Sequence, residues 1–199
     1  MEIFVNATLF PCPWINNEMT VQEVIVRLQP AVEKDGRALM EIQIDGEPFD
    51  PTEEEHLSSR SVGAVQKLDL LVQTHAEILQ EAVQDGPEIL LHLETKALEG
   101  ANELRVGKVR EAMERLVDVL DGLEWLTTIL QHMEHAGKGL QENSLEQRRQ
   151  DLIHRLDTQA TSLHAAQEQQ DWVGVADILE YEIQGLFREG AEIFRKVQD

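Results

Sequence analysis

The chain has 199 residues and carries 38 acidic against 17 basic side chains, a formal charge of −21, with 42% hydrophobic and 28% charged residues. That composition belongs to a folded chain with room for a real hydrophobic core, not to a disordered one. Phosphate-binding surfaces need clustered cations, and the only clusters are Arg148–Arg149 and Arg195–Lys196, so neither nucleic acid nor an anionic membrane is an expected partner.

The acidic excess runs through the whole chain. Residues 1–73 hold 13 acidic and 5 basic side chains, and residues 74–199 hold 25 and 12. Such acidity serves solubility or steers the chain toward a basic partner. The one cysteine, Cys12, has no intramolecular disulfide partner, which fits a reducing compartment. The opening "MEIFVNATLF" lacks the basic and long apolar regions of a signal peptide. No run approaches the roughly 18 apolar residues of a membrane span. The expected location is cytoplasmic.

Up to about residue 73 the chain alternates. Ile3, Val5, Ala7 and Leu9 predict one strand, Met40, Ile42 and Ile44 a second, and Leu68, Leu70 and Val72 a third. Asp45–Gly46 is a turn signal that folds "EIQIDGEPFD" into a hairpin. Between the first two strands lies one helix. Thr20 and Glu23 have capping-box spacing, Val21, Val24, Ile25 and Leu28 form its apolar face, and Gly36 suits its exit. Pro30 shortens or kinks it. Strand, helix, hairpin, the acidic turn near "DPTEEEHL" and a last strand form an order that resembles the ubiquitin-like β-grasp. That pattern has a hairpin before its helix, and only "PCPWINNEM" is left to supply the second strand. The resemblance implies a fold and no activity, because this architecture hosts carriers, cofactor sites and adaptors alike.

Residues 74–199 read as helix. Starts are marked by Thr74 with Glu77, Asp85 with Pro87 and Glu88, Ser144 with Gln147, and Asp171 before "WVGVADIL". Four helices are expected, near 75–104, 107–136, 144–169 and 171–197, the first kinking at Gly86–Pro87. In the second, Val109, Leu116, Leu123 and Leu130 lie seven apart, beside the row Ala112, Val119, Leu126 and Met133. In the fourth, Trp172, Ala176, Leu179, Ile183, Leu186, Gly190, Ile193 and Val197 alternate spacings of four and three. Both are bundle seams.

A shift of 63 residues lays Leu116 on Leu179, Gly122 on Gly185, Leu123 on Leu186 and "LETKA" on "LDTQA", six identities over the 38 positions from 89 to 126. The inference is a duplicated helical hairpin. Glycine inside a helix costs about 1 kcal/mol relative to alanine. At the shoulder of an apolar stripe that loss is offset if a neighbouring helix packs closer. Otherwise both glycines are inherited without a present role.

Candidate chemistry is sparse. His132-x-x-His135 puts two imidazoles on one helical face, a weak metal-ligand pair that reads better as solvated surface. Asp151-x-x-His154 stands alone where a di-iron bundle needs matching motifs on two helices. Cys12, between two prolines, reads as a small apolar loop residue rather than a nucleophile. No cofactor and no catalytic residue is assigned. Trp125, Tyr181 and Phe187 fall off the seams. They either pack under the N-terminal region or form a surface for a partner.

The expected fold class is therefore α+β: a small mixed β-sheet with one helix in residues 1–73, then an antiparallel four-helix bundle in 74–199. The expected function is protein–protein binding without catalysis, by an adaptor, regulator or chaperone-like protein. In architecture the acidic bundle resembles bacterial export chaperones. Two alternatives stay open: an enzyme or metal-binding protein with a site between the two regions, and a self-assembling structural subunit. The expected partner is another protein or a second copy.

Overall fold

The first strand stops sooner than its alternation suggests. In the computed structural model, which describes residues 1–34, 36–49, 59–133 and 143–198, β1 (Glu2–Val5) and β2 (Thr8–Leu9) pair antiparallel about Asn6–Ala7. Those two residues have φ of 48° and 60°, the positive values required by a two-residue hairpin turn whose twist suits its strands. Alanine is strained at such a φ, and Asn6 offsets the strain. Its side chain donates to the Val72 carbonyl at 2.7 Å and accepts from the Val72 amide at 2.8 Å. The single strand expected over residues 3–9 is thus a hairpin, and "PCPWINNEM" is not a strand. Residues 2–9 supply the hairpin that the β-grasp pattern needs before its helix.

The helix follows as α1 (Val21–Val32) with both bonds of the Thr20–Glu23 capping box formed. It continues through Pro30. β3 (Arg37–Ile44) turns at Asp45–Gly46, φ 55° and 89°, into the short β4 (Glu47–Pro48). β5 (Lys67–Thr74) runs up the middle, parallel to β1 and antiparallel to β3, in the order β2-β1-β5-β3-β4. Leu68, Leu70 and Val72 of β5 are buried with Ile3, Ile44, Val21, Val24 and Leu28 in one core. Cys12 packs partly buried against this core, and desolvation pushes its thiol pKa up, away from the reactive thiolate. The acidic turn near "DPTEEEHL" lies outside the described residues.

Thr74 ends β5 and caps α2 (His75–Arg105) through a second reciprocal pair with Glu77. Then come α3 (Val109–His132), α4 (Asn143–Glu168), α5 (Trp172–Asp177), a π turn (Ile178–Ile183) and α6 (Gln184–Gln198), the last three one continuous helix. The chain divides into compact units Met1–Ile78 and Leu79–Asp199. In the second, α2, α3, α4 and the final helix share one core, with Leu90, Leu116, Leu126, Leu152, Leu163, Leu186 and Phe194 fully buried.

α2 is continuous through Gly86–Pro87, and the pair does more than bend a helix. Proline has no amide hydrogen, so the Val83 carbonyl four residues earlier loses its helical partner. Gln198 of α6 supplies one, its side-chain amide donating to that carbonyl at 2.7 Å. Next to it, a Cβ on Gly86 would lie 2.3 Å from the Phe194 ring. Glycine is what lets Phe194 reach the α2 backbone. Gly190 of α6 repeats the device: its missing Cβ would stand 3.0 Å from Leu126 and 3.2 Å from Leu90.

The two glycines related by the 63-residue shift part company here. A Cβ on Gly122 would come within 2.4 Å of Leu93, whereas one on Gly185 meets nothing within 4 Å. Close packing accounts for Gly122 alone. At the far end of α3, Arg149 is buried and donates to the Leu130 carbonyl at 2.6 Å while gripping Glu146 with two bonds. It supplies a donor to a carbonyl in the helix's last turn.

Substitutions at these two glycines have opposite signs. Gly185→Ala raises stability by about 0.5–1 kcal/mol, the propensity gain of an open helical site. Gly122→Leu lowers it, because overpacking of roughly 1–3 kcal/mol outweighs that gain. Denaturant melts of the two variants check both signs.

Candidate functional site

Two surfaces of the helical unit warrant comparison. A groove of about 390 Å³ between α3 and α4 is lined by Thr127, Gln131, Gln150, Ile153, His154 and Asp157. Two of its polar groups are engaged along their own helices: the Thr127 hydroxyl donates to the Leu123 carbonyl and the Gln150 side chain to Glu146. Asp151, paired with His154 in the sequence motif, accepts from Gln147 at 2.9 Å.

The second surface is the seam between α2 and the final helix. Two cross-links made of charged and amide side chains hold it closed. Glu94 of α2 is buried and accepts from Gln184 at 2.9 Å and from Arg188. A buried carboxylate needs such partners, or its desolvation goes uncompensated. Further along, Arg105 in the last turn of α2 donates to Asp177 at 3.0 Å and pairs with Glu180, the residues flanking and entering the π turn. Asp177, then Glu180, push the Arg105 pKa further above its ordinary value. The same guanidinium stands 5.9 Å from the Tyr181 ring.

Apolar exposure gathers beside these links. Tyr181 is 68% exposed, Val173 69%, Val106 70% and Leu91 56%. Leu91 lies one turn before Glu94 on α2 and Val106 follows Arg105. Val173 and Tyr181 each lie one helical turn from Asp177. Gly185, one turn beyond Tyr181, leaves open space above the backbone. The seam therefore offers an exposed aromatic ring, scattered aliphatic groups and a side-chain-free gap.

The residues singled out in the sequence do not form one patch. Phe187 is 0% exposed in the helical core and presents nothing to a partner. Its place is corrected because the buried stripe of the final helix is wider than a strict two-position seam, taking in both Leu186 and Phe187 and both Ile193 and Phe194. Trp125 is half-buried against the same core, edge-on to Phe194 with ring centroids 6.0 Å apart. Tyr181 alone of the three is prominently exposed. His132 is exposed, its Nδ1 2.8 Å from the Thr128 carbonyl, and His135 lies outside the described residues. Among the described residues, no group of three or more His, Cys, Asp or Glu side chains is placed to hold a metal ion, and no helix is long and apolar enough to cross a membrane. The basic pair Arg148–Arg149 is spent within the chain: Arg148 pairs with Glu192 at 3.1 Å and Arg149 is buried.

Glu94, Arg105 and Arg188 escaped sequence reasoning. The partners of Glu94 and Arg105 lie 72 to 94 positions away, and no local pattern encodes such a pairing. For Gly185, with nothing within 4 Å of its Cβ position, the close-packing reading fails and inheritance without a packing role is left.

Two family models match the chain. One, described as a domain of unknown function (DUF8042), covers residues 81–191, and the other, the TP0873 N-terminal domain, covers residues 1–74. No curated protein and no solved structure matches it. The first match includes both cross-links of the seam together with Tyr181 and Gly185.

Trp125→Ala should cost about 3 kcal/mol, the lower end for a large aromatic removed from a core it partly fills. A denaturant melt checks this, and a loss below about 0.5 kcal/mol would place the indole outside the core.

Proposed function

The chain belongs to the family of the domain of unknown function DUF8042, and we propose that it is a protein-binding module without catalytic activity, an adaptor or chaperone-like regulator that works through the α2–final-helix seam. The observation that carries this reading is Tyr181, 68% exposed yet placed by an arginine that is itself anchored by two carboxylates. An exposed aromatic normally costs conformational entropy when a partner orders it. One already positioned loses less, and tyrosines of this kind dominate binding energy at interfaces.

The surroundings support the same reading. Val106, Val173 and Leu91 supply further apolar contact, and the ion pairs of Arg105 with Asp177 and Glu180 lie beside them. That is the anatomy of a non-obligate interface, with a small apolar centre and a polar edge. The α3–α4 groove offers less, since no exposed aromatic lines it.

Capture experiments with immobilised full-length chain and an extract of the source organism test the proposal. Tyr181→Ala should weaken retention of a bound protein by about 2 kcal/mol, a loss of roughly thirtyfold in affinity. Its own stability should stay within about 0.5 kcal/mol of wild type. Equal retention by the two forms would contradict a role for the seam.

A further inference from the structure

Three of the helix–helix seams in the helical unit are laced by ion pairs. Lys96 with Asp118, and Arg115 with Glu99 and Glu103, tie α2 to α3. Arg105 and Glu94 tie α2 to the final helix through Asp177, Glu180 and Arg188. Arg148 and Arg155, through Glu192 and Glu189, tie that helix to α4. Among the described residues no ion pair joins α3 to α4. Their contact carries instead the Arg149 bond to the Leu130 carbonyl and the groove of about 390 Å³.

The cations for a fourth lacing are already spent. α3 and α4 hold five arginines and no lysine. Arg110 pairs with Glu114 on its own helix, Arg149 with Glu146, and the other three reach α2 or the final helix. Asp157 lines the groove, and Glu124 lies one turn before Thr127 on the same face of α3. Both are exposed, and neither has an ion pair among the described residues. The antiparallel register set by Arg149 and Leu130 brings the two carboxylates to within about one helical turn of the same level. Below them the surface is apolar, with Ile153 lining the groove, Leu120 partly buried and Val117 57% exposed.

We infer that the α3–α4 groove seats a basic segment of a partner protein, with lysine or arginine stems lying on Ile153 and their charge brought between Glu124 and Asp157. A long side chain with an aliphatic stem and a cationic head is what matches an apolar floor under a carboxylate rim. Its charge completes the lacing that the other three seams make within the chain. A second copy of the chain brings the same acidic excess and is repelled. This surface is separate from the Tyr181 seam and adds a charge class of partner to the reading above.

The test uses the full chain and a synthetic Ala/Arg peptide of roughly 15 residues. In a control peptide citrulline, a neutral isostere, replaces every arginine. Titration calorimetry at about 0.15 M salt screens attraction beyond about 8 Å. The arginine peptide should bind at least about fivefold tighter, the scale of two exposed ion pairs. Glu124→Gln combined with Asp157→Asn should remove that advantage. Glu88→Gln combined with Glu111→Gln, the same change in charge at exposed sites elsewhere, should alter affinity by less than about twofold. Tyr181→Ala should leave peptide binding unchanged. Equal losses from the two double substitutions would mean that net charge alone holds the peptide, and equal binding of the two peptides would remove the charge basis. Either result overturns the inference. Peptide binding that depends on Tyr181 would place the segment on the other seam, overturning this inference and leaving the Tyr181 reading intact. Protein capture indifferent to Tyr181, with peptide binding that needs Glu124 and Asp157, would uphold this inference and sink that reading.

Discussion

The helical unit depends on how its last helix seats against its first. Pro87 deprives the Val83 carbonyl of its helical bond, and Gln198 restores one from α6 at 2.7 Å. Gly86, beside it, removes the Cβ that would collide with Phe194. A breaker pair that would weaken an isolated helix has become a notch with a polar end and an apolar floor. A buried carbonyl without a partner costs about 1–3 kcal/mol, so the contact matters as much for what it prevents as for what it adds. Pro30 of α1 makes the contrast. It frees the Val26 carbonyl in the same way, but Val26 is exposed and water can reach that turn.

Once α6 is seated, the rest of the seam follows along its length. Gly190 lets Leu126 and Leu90 close in, Glu94 finds Gln184 and Arg188, and Arg105 reaches Asp177 and Glu180. The links follow one another at intervals of about one to three helical turns along α2, so the seating at the notch sets the register of them all. The π turn carries an extra residue per turn, contains Glu180 of the Arg105 link and ends just before Gln184 of the Glu94 link. The surface that results, Tyr181 out and Gly185 bare, is the outer side of the contact that closes the core.

Much of this architecture was legible in the chain. Thr20 with Glu23 and Thr74 with Glu77 named two helix starts, and Asp45–Gly46 named a hairpin, because capping and turn chemistry are local. The hairpin at Asn6–Ala7 was not, since alanine argues against positive φ and its support comes from Val72 on another strand. Gly86–Pro87 was read as a kink because a sequence shows the missing bond but not the Gln198 that replaces it, 115 residues from Val83. The exposure of Tyr181 was legible from its place off the seam. Phe187 was misplaced by the same argument, because a strict seam is narrower than the stripe a globular helix buries. Arg105 and Glu94 lie in acidic, helix-typical surroundings that give no sign of their distant partners.

The most direct measurement of this account is a double-mutant cycle on stability between Pro87→Ala and Gln198→Ala. With proline in place, losing the Gln198 amide leaves the Val83 carbonyl bare, and Gln198→Ala should cost about 1 kcal/mol or more. In the Pro87→Ala background the new backbone amide bonds that carbonyl within α2, and the same substitution should cost less than about 0.5 kcal/mol. An equal cost in both backgrounds would mean that Gln198 does not answer the bond that proline removes, and the notch would not be what seats the final helix.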